Sequence, residues 1–318
     1  MKKIFNTIIG LSALTLLILI SCGPAPQSSD GGLSVLASTS VLADVARNVA
    51  GDRVEVKSLL PIGADPHAYQ PAPSDVAKIA ESNVLILNGI EYEHFIESLI
   101  ENAGGERLVI EATHGLEPRE LEEHAEDDDH AEEAESGEEH GHEAGDPHMW
   151  LDPNLVITYV ENIRDGLISA DPDGAEVYRA NADEYIAQLQ ELDAWITAQV
   201  ETIPAENRLL VTNHESLGYF AERYGFEVVD TILASFSSGS SASAQEIAAT
   251  VNAIRASGAS AIFLSEVENA KMANQIAEET GVIVVADLHI ESLTNGAPAA
   301  TYLDMMRHNV SRIVDALK

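Results

Sequence analysis

A chain of 318 residues with 53 acidic against 17 basic side chains carries a formal net charge of −36. No basic stripe survives anywhere along it, which makes nucleic acid a poor partner and leaves cations as the species its field would gather. A single cysteine excludes an intramolecular disulfide, and the roughly 285 residues after the N-terminal stretch suffice for two domains of ordinary size.

Residues 1–22 read as an export signal. Lys2 and Lys3 supply the positive start, and residues 4–20 are mostly apolar but a little short of the ~20 residues of a spanning helix. Leu19-Ile20-Ser21-Cys22 has the form of a bacterial lipobox, so Cys22 is the expected lipidation site. Residues 23–32, rich in Pro, Ser and Gly, are the expected flexible tether. The mature protein is then expected outside the cytoplasm, lipid-anchored to a bacterial membrane without spanning it.

Residues 33–173 predict an N-terminal α/β lobe. Short apolar, β-branched runs at 34–37, 54–56, 84–87 and 108–110 alternate with helical patterns at about 41–50, 73–81 and 91–103. Residues 117–146 interrupt this lobe with fifteen acids, one Arg and no aromatic residue. Such a segment cannot build a core, and it predicts a mobile acidic loop. His124, His130, His140 and His142 lie in it, with His114 near its start; loop imidazoles among carboxylates suit weak accessory metal capture.

Residues 174–204 carry the longest helical pattern: Tyr178, Ala182, Tyr185, Leu189, Leu192, Ile196 and Ile203 recur mostly at three- and four-residue steps. With Asp171-Pro172-Asp173 as start and Pro204 as stop, ~29 residues would span roughly 43 Å as a stiff linker helix. Residues 205–318 then repeat the first rhythm. Strands are predicted at 209–211, 227–229, 261–264 and 282–285, with helices at about 215–224, 243–257, 269–280 and 299–317. The fold class is α/β: two similar lobes with mostly parallel sheets flanked by helices.

Four fragments place a ligand-type side chain near a predicted strand exit or between prolines: DPHAYQP with His67, DPHMWLDP with His148, NHESLGYF with His214, and IESL with Glu291. Open α/β sheets gather ligands at strand ends. Three imidazoles and one carboxylate suit Zn2+, with Mn2+ or Fe2+ acceptable. Asp287 and His289 compete with Glu291, because the three alternate onto one face of an extended segment. Four protein donors leave no open position for a reacting water, and after His214-Glu215 the place of a second zinc-binding His holds Gly218. The pattern therefore points to holding a metal rather than to enzymatic use of one, with a zinc hydrolase or a metal-stabilised surface adhesin as rival readings.

The chain resembles the solute-binding lipoproteins of ABC importers for zinc and manganese, including zinc receptors with a His-rich acidic loop. The resemblance rests on GDRVEVKSLLPIGADPHAYQPAPSDVAKIAESNVLILNG, DPHMWLDP, HESLGYFAERYG, SAQEIAATVNAIRASGASAIFLSEV and APAATYLDMMRHNVSRIVDAL, and covers nearly all of residues 33–318. It implies two lobes joined by one long rigid helix, a metal site in the interlobe cleft, and an ABC permease as partner of a monomeric receptor. It places the first three ligands at His67, His148 and His214. Manganese-specific members often have Glu at the position matching His214, so histidine there implies zinc, with manganese as the alternative. The fourth ligand falls at Glu291, where relatives commonly have Asp, with Asp287 as runner-up.

Overall fold

The computed structural model describes residues 32–120, 145–233 and 243–318. The expected export signal with Cys22, the tether up to residue 31, and His124, His130, His140 and His142 lie outside the described residues.

The first sheet comprises β1 (Val35–Ala37), β2 (Val56–Ser58), β3 (Val84–Leu87) and β4 (Leu108–Glu111), all parallel, in the order β2-β1-β3-β4. The second comprises β5 (Leu209–Thr212), β6 (Glu227–Thr231), β7 (Ala261–Ser265) and β8 (Ile283–Leu288), also parallel, in the order β6-β5-β7-β8. The two orders are the same. In each, the chain leaves the first strand to one side and returns on the other, which opens a crevice at the strands' carboxyl ends. The apolar β3, and β7 with only Ser265 polar, are buried throughout, as parallel strands covered on both faces must be.

Helices α1 (Ser40–Ala50), α2 (Pro73–Ala80) and α3 (Ile96–Ala103) flank the first sheet, while α6 (Gly218–Tyr224), α7 (Ala244–Ser257) and α8 (Lys271–Thr280) belong to the second. Three more helices complete the fold: α4 (Pro153–Ala170), α5 (Ala175–Val200) and α9 (Tyr302–Leu317). Thr39, Asp152, Ser243 and Thr301 cap α1, α4, α7 and α9 with their side-chain oxygens, which explains why those helices start where they do.

The long helix α5 has 26 residues and runs ~39 Å, three residues short of the sequence expectation. Its last turn tightens instead into shorter-step bonds, Thr202 N–H to Gln199 O and Ile203 N–H to Val200 O, because Pro204 disfavours helix at the residue before it. Tyr178, Ala182, Tyr185, Leu189, Leu192, Ile196 and Val200 line its buried face, which packs on α1, α4 and α9. One continuous core therefore includes apolar residues of both halves, and two smaller clusters cover the outer faces of the sheets.

Several predicted helices begin later than their apolar pattern suggested, α3 and α6 among them. Residues 91–95 form turns before α3, and residues 214–216 form a turn before α6, held by Ser216 N–H and Thr212 Oγ1–H on the His214 carbonyl. Both delays fall at strand exits facing the crevice.

Candidate metal centre

His67 lies in the β2–α2 loop, where Asp65 Oδ1 accepts its backbone N–H at 2.9 Å. His148 stands before a short 3-10 turn leading into α4. Asp146 Oδ1 accepts both its backbone N–H at 2.9 Å and its Nδ1–H at 2.8 Å. The tripeptide Asp-Pro-His thus occurs twice, and each time the carboxylate bonds the backbone two residues ahead, as Asp does in turns. His214 sits two residues beyond β5, its Nδ1 2.6 Å from Glu268 Oε1. Glu291 follows β8 between Ile290 and Ser292, whose N–H groups both donate to Glu266, at 2.9 and 2.7 Å.

These elements converge. The Nε2 atoms of His67, His148 and His214 lie 3.7, 3.6 and 3.6 Å from Glu291 Oε1, and those of His67 and His148 lie 3.3 Å apart. One donor atom from each residue falls within 4.8 Å of all the others. A tetrahedral shell with metal–donor distances of ~2.0–2.2 Å has donor–donor edges of ~3.3–3.6 Å, so the group is spaced as a four-coordinate shell. His148, His214 and Glu291 are buried, and the His67 side chain is only 5% exposed, the most of the four. A cavity of about 10 Å3 bordered by Tyr92, Trp150 and Glu291 has room for roughly one water, not for an organic substrate.

Electrostatics make the site a cation trap. Burial would raise the Glu291 carboxyl, but the neighbouring His148, His214 and His67 imidazoles hold it well below the usual carboxylate range. Burial lowers His214, yet Glu268 and Glu291 outweigh it and push the imidazole up to about 10. His148 moves the same way, with burial opposed by Asp146 and Glu291. Carboxylates on both Nδ1 atoms orient Nε2 toward the centre and raise its donor strength. Burial and the adjacent Glu291 push the Tyr92 phenol well above its ordinary range, so it stays protonated and donates to Glu291 Oε2 at 2.8 Å. Burial raises Glu266 to about 7, against the lowering backbone N–H of Ile290.

The structure brings His67, His148, His214 and Glu291 together and leaves Asp287 out. The expected alternation of Asp287, His289 and Glu291 ends because β8 stops at Leu288. Asp287 then pairs with Arg312 Nε at 2.9 Å, half-exposed, while Asn309 holds the backbone N–H and carbonyl of His289. The expected mobile loop 117–146 needs a correction at both ends. Arg119 receives the Asp146 N–H on its carbonyl, donates its own N–H to Tyr219, and sits 3.3 Å from Asp146 Oδ2. Asp146 is fully buried against His148 and is part of the site. Sequence reasoning also missed Glu266, Glu268 and Tyr92. The doubled Asp-Pro-His was the signal that could have found Asp146; Glu268 follows β7 with no local mark at all.

The family described as "Zinc-uptake complex component A periplasmic" matches residues 35–316. Among relatives, the manganese-binding lipoprotein MntA of Halalkalibacterium halodurans is 35% identical, over 100% of this chain and 99% of its own. Among solved structures, the Mn-bound periplasmic metal binding protein from Candidatus Liberibacter asiaticus is similar at TM-score 0.76 and 29% identity, over 90% of this chain and 100% of that one. The periplasmic zinc binding protein TroA from Treponema pallidum is similar at TM-score 0.77 and 27% identity, over 90% and 99%.

Proposed function

The chain belongs to the family of periplasmic component A proteins of zinc-uptake complexes, and on that premise we propose that it is an extracytoplasmic receptor that captures Zn2+ and passes it to an ABC permease. The observation that carries the reading is the group His67, His148, His214 and Glu291, whose inward donors are 3.3–3.7 Å apart where measured pairwise. Three imidazoles and a carboxylate at near-tetrahedral spacing favour Zn2+, which needs no more than four donors. Because no further position is left for a reacting water, the ion is cargo rather than catalyst. Its membrane attachment would run through acylated Cys22, and His124, His130, His140 and His142 would serve as accessory collectors.

Capture begins with an ion drawn by the net negative charge toward the cleft, where His67, the least buried donor, closes the shell. Binding replaces protons on Nε2 of His214 and His148, so proton uptake favours release. Several contacts join the two halves around the site. Trp150 Nε1–H donates to Ile290 O, Tyr302 OH donates to Trp150 O, the Tyr302 N–H donates to Asp44, and the Leu293 N–H donates to Ser40 Oγ. With α5 they favour local rearrangement over wide domain closure.

A manganese receptor on the same scaffold is the second reading, favoured by the 35% identical MntA, which is named as manganese-binding. The deciding experiment is a chelator-competition titration of Zn2+ and Mn2+ against the purified chain and its His67→Ala and His214→Ala variants. One tight zinc site lost in both variants supports the proposal. A site that prefers Mn2+ selects the second reading, and binding unchanged in both variants removes the ligand set.

A further inference from the structure

Tyr92 stands beside the site on a turn that is unusual in its backbone. Ile90 and Glu91, the two residues before it, have φ of 54° and 52°, the left-handed region that a β-branched isoleucine rarely enters. Such conformations persist only where surrounding contacts over-determine them. Here the buried Glu93 carboxylate accepts Ser38 Oγ–H at 2.6 Å, the Asn88 N–H at 2.7 Å and the Gly89 N–H at 3.4 Å. Asn88 is fastened further: Thr113 Oγ1–H donates to its carbonyl, Tyr159 OH donates to its Oδ1, and its Nδ2 donates to Pro147 O beside His148. The turn is thus locked from β1, β4, α4 and the His148 segment.

What this locked turn aims is the phenol. Tyr92 packs edge-on against His67, with ring centroids 5.3 Å apart, and against Trp150 at 4.9 Å. Simple packing would need only the ring. The hydroxyl instead reaches Glu291 Oε2 at 2.8 Å, while Oε1 is the oxygen nearest the three imidazoles, at 3.6–3.7 Å. A glutamate with both oxygens available can bind an ion through two; with Oε2 engaged, Glu291 offers one. That difference separates a four-donor shell from a five-donor shell. Zn2+ is at home with four, whereas Mn2+ favours higher coordination with more oxygen.

Resting on the ligand assignment above, we propose that Tyr92 is a specificity-determining residue, which holds Glu291 Oε2 away from the ion and so sets the site for a four-coordinate Zn2+ over Mn2+. The test measures Zn2+ and Mn2+ affinities of the purified chain and its Tyr92→Phe variant by chelator competition. It also records the visible spectrum of each protein with Co2+, whose absorption is strongest when four-coordinate and falls as further donors bind. The expected wild-type spectrum is four-coordinate. In Tyr92→Phe the cobalt bands should weaken and the ratio of Zn2+ to Mn2+ affinity should fall at least tenfold. An unchanged cobalt spectrum, or equal loss of both affinities, shows that Tyr92 only packs and overturns the inference. X-ray absorption of the wild-type zinc complex is independent of any variant, and five or more donors around zinc would overturn it equally. The His67→Ala control separates the two levels. If wild-type binding does not depend on His67, the ligand assignment itself fails; if it does, the Tyr92 result judges this inference alone.

Discussion

Replacing Glu268 by Gln tests how the outer carboxylates govern the metal. The Glu268 side chain is 2% exposed, and its two oxygens serve three donors: Oε1 takes His214 Nδ1–H at 2.6 Å and Asn213 Nδ2–H at 2.8 Å, and Oε2 takes the Ser265 N–H at 2.6 Å. Glutamine keeps the shape but has one acceptor oxygen, so its NH2 must face either the Ser265 N–H or His214. Loss of such a carboxylate typically weakens metal binding 10–100-fold, about 1.4–2.7 kcal/mol. A second effect opposes it. Glu268 also helps hold the metal-free His214 up to about 10, and at neutral pH the ion must displace that proton. Each pH unit below that value costs up to about 1.4 kcal/mol of apparent affinity, and the variant relieves part of this cost. The two effects separate by pH. Wild-type affinity should climb with pH toward 10, the variant should level off earlier, and the wild-type advantage should therefore grow between pH 6 and 8.5. Chelator competition at several pH values measures the ratio, and calorimetry in two buffers of different ionisation enthalpy counts the protons released. A ratio that is flat or shrinking as pH rises would refute the reasoning.

Deleting residues 121–144 should leave tight zinc binding within about threefold, since the described donors and Asp146 remain. Extending the deletion to 117–146 removes Asp146 and should cost about 10–100-fold, read by the same titration. Gly166→Ala places a methyl 2.2 Å from Ile110 Cδ1, where α4 meets β4, and should destabilise by about 1–3 kcal/mol in urea unfolding. Asp171, with Arg53 and Tyr178 bonded to it, is held down to about 2. Its contribution is complete above the unfolded value near 4 and is lost as pH falls toward 2, so Asp171→Asn should flatten the decline of the urea midpoint in that window. Small-angle scattering should detect no large closure on adding zinc, given the Tyr302, Trp150 and Ser40 contacts between the halves.

Much of this molecule is written in local pattern. Strand and helix alternate because burial of apolar periodic segments is a property of a few neighbouring residues, which is why β3, β7 and the buried face of α5 could be read directly. The same holds for the candidates His67, His148 and His214, each set off by prolines or by a strand exit. From residue spacing Glu291 was one of three alternating candidates, and only the family resemblance put it ahead of Asp287. Its selection over Asp287 depends on where β8 stops and on which distant groups take the neighbouring backbone. Glu266 takes Ile290 and Ser292 across 24 and 26 residues, and Asn309 takes His289 across 20. The carboxylate behind His214 comes from 54 residues away, and the phenol on Glu291 from 199. Candidate donor types, set at strand exits or between prolines, were thus legible in the sequence alone. Which Glu291 oxygen takes the Tyr92 hydroxyl was decided only in the tertiary structure, because a hydrogen bond across the cleft depends on where distant segments meet and no local pattern encodes that.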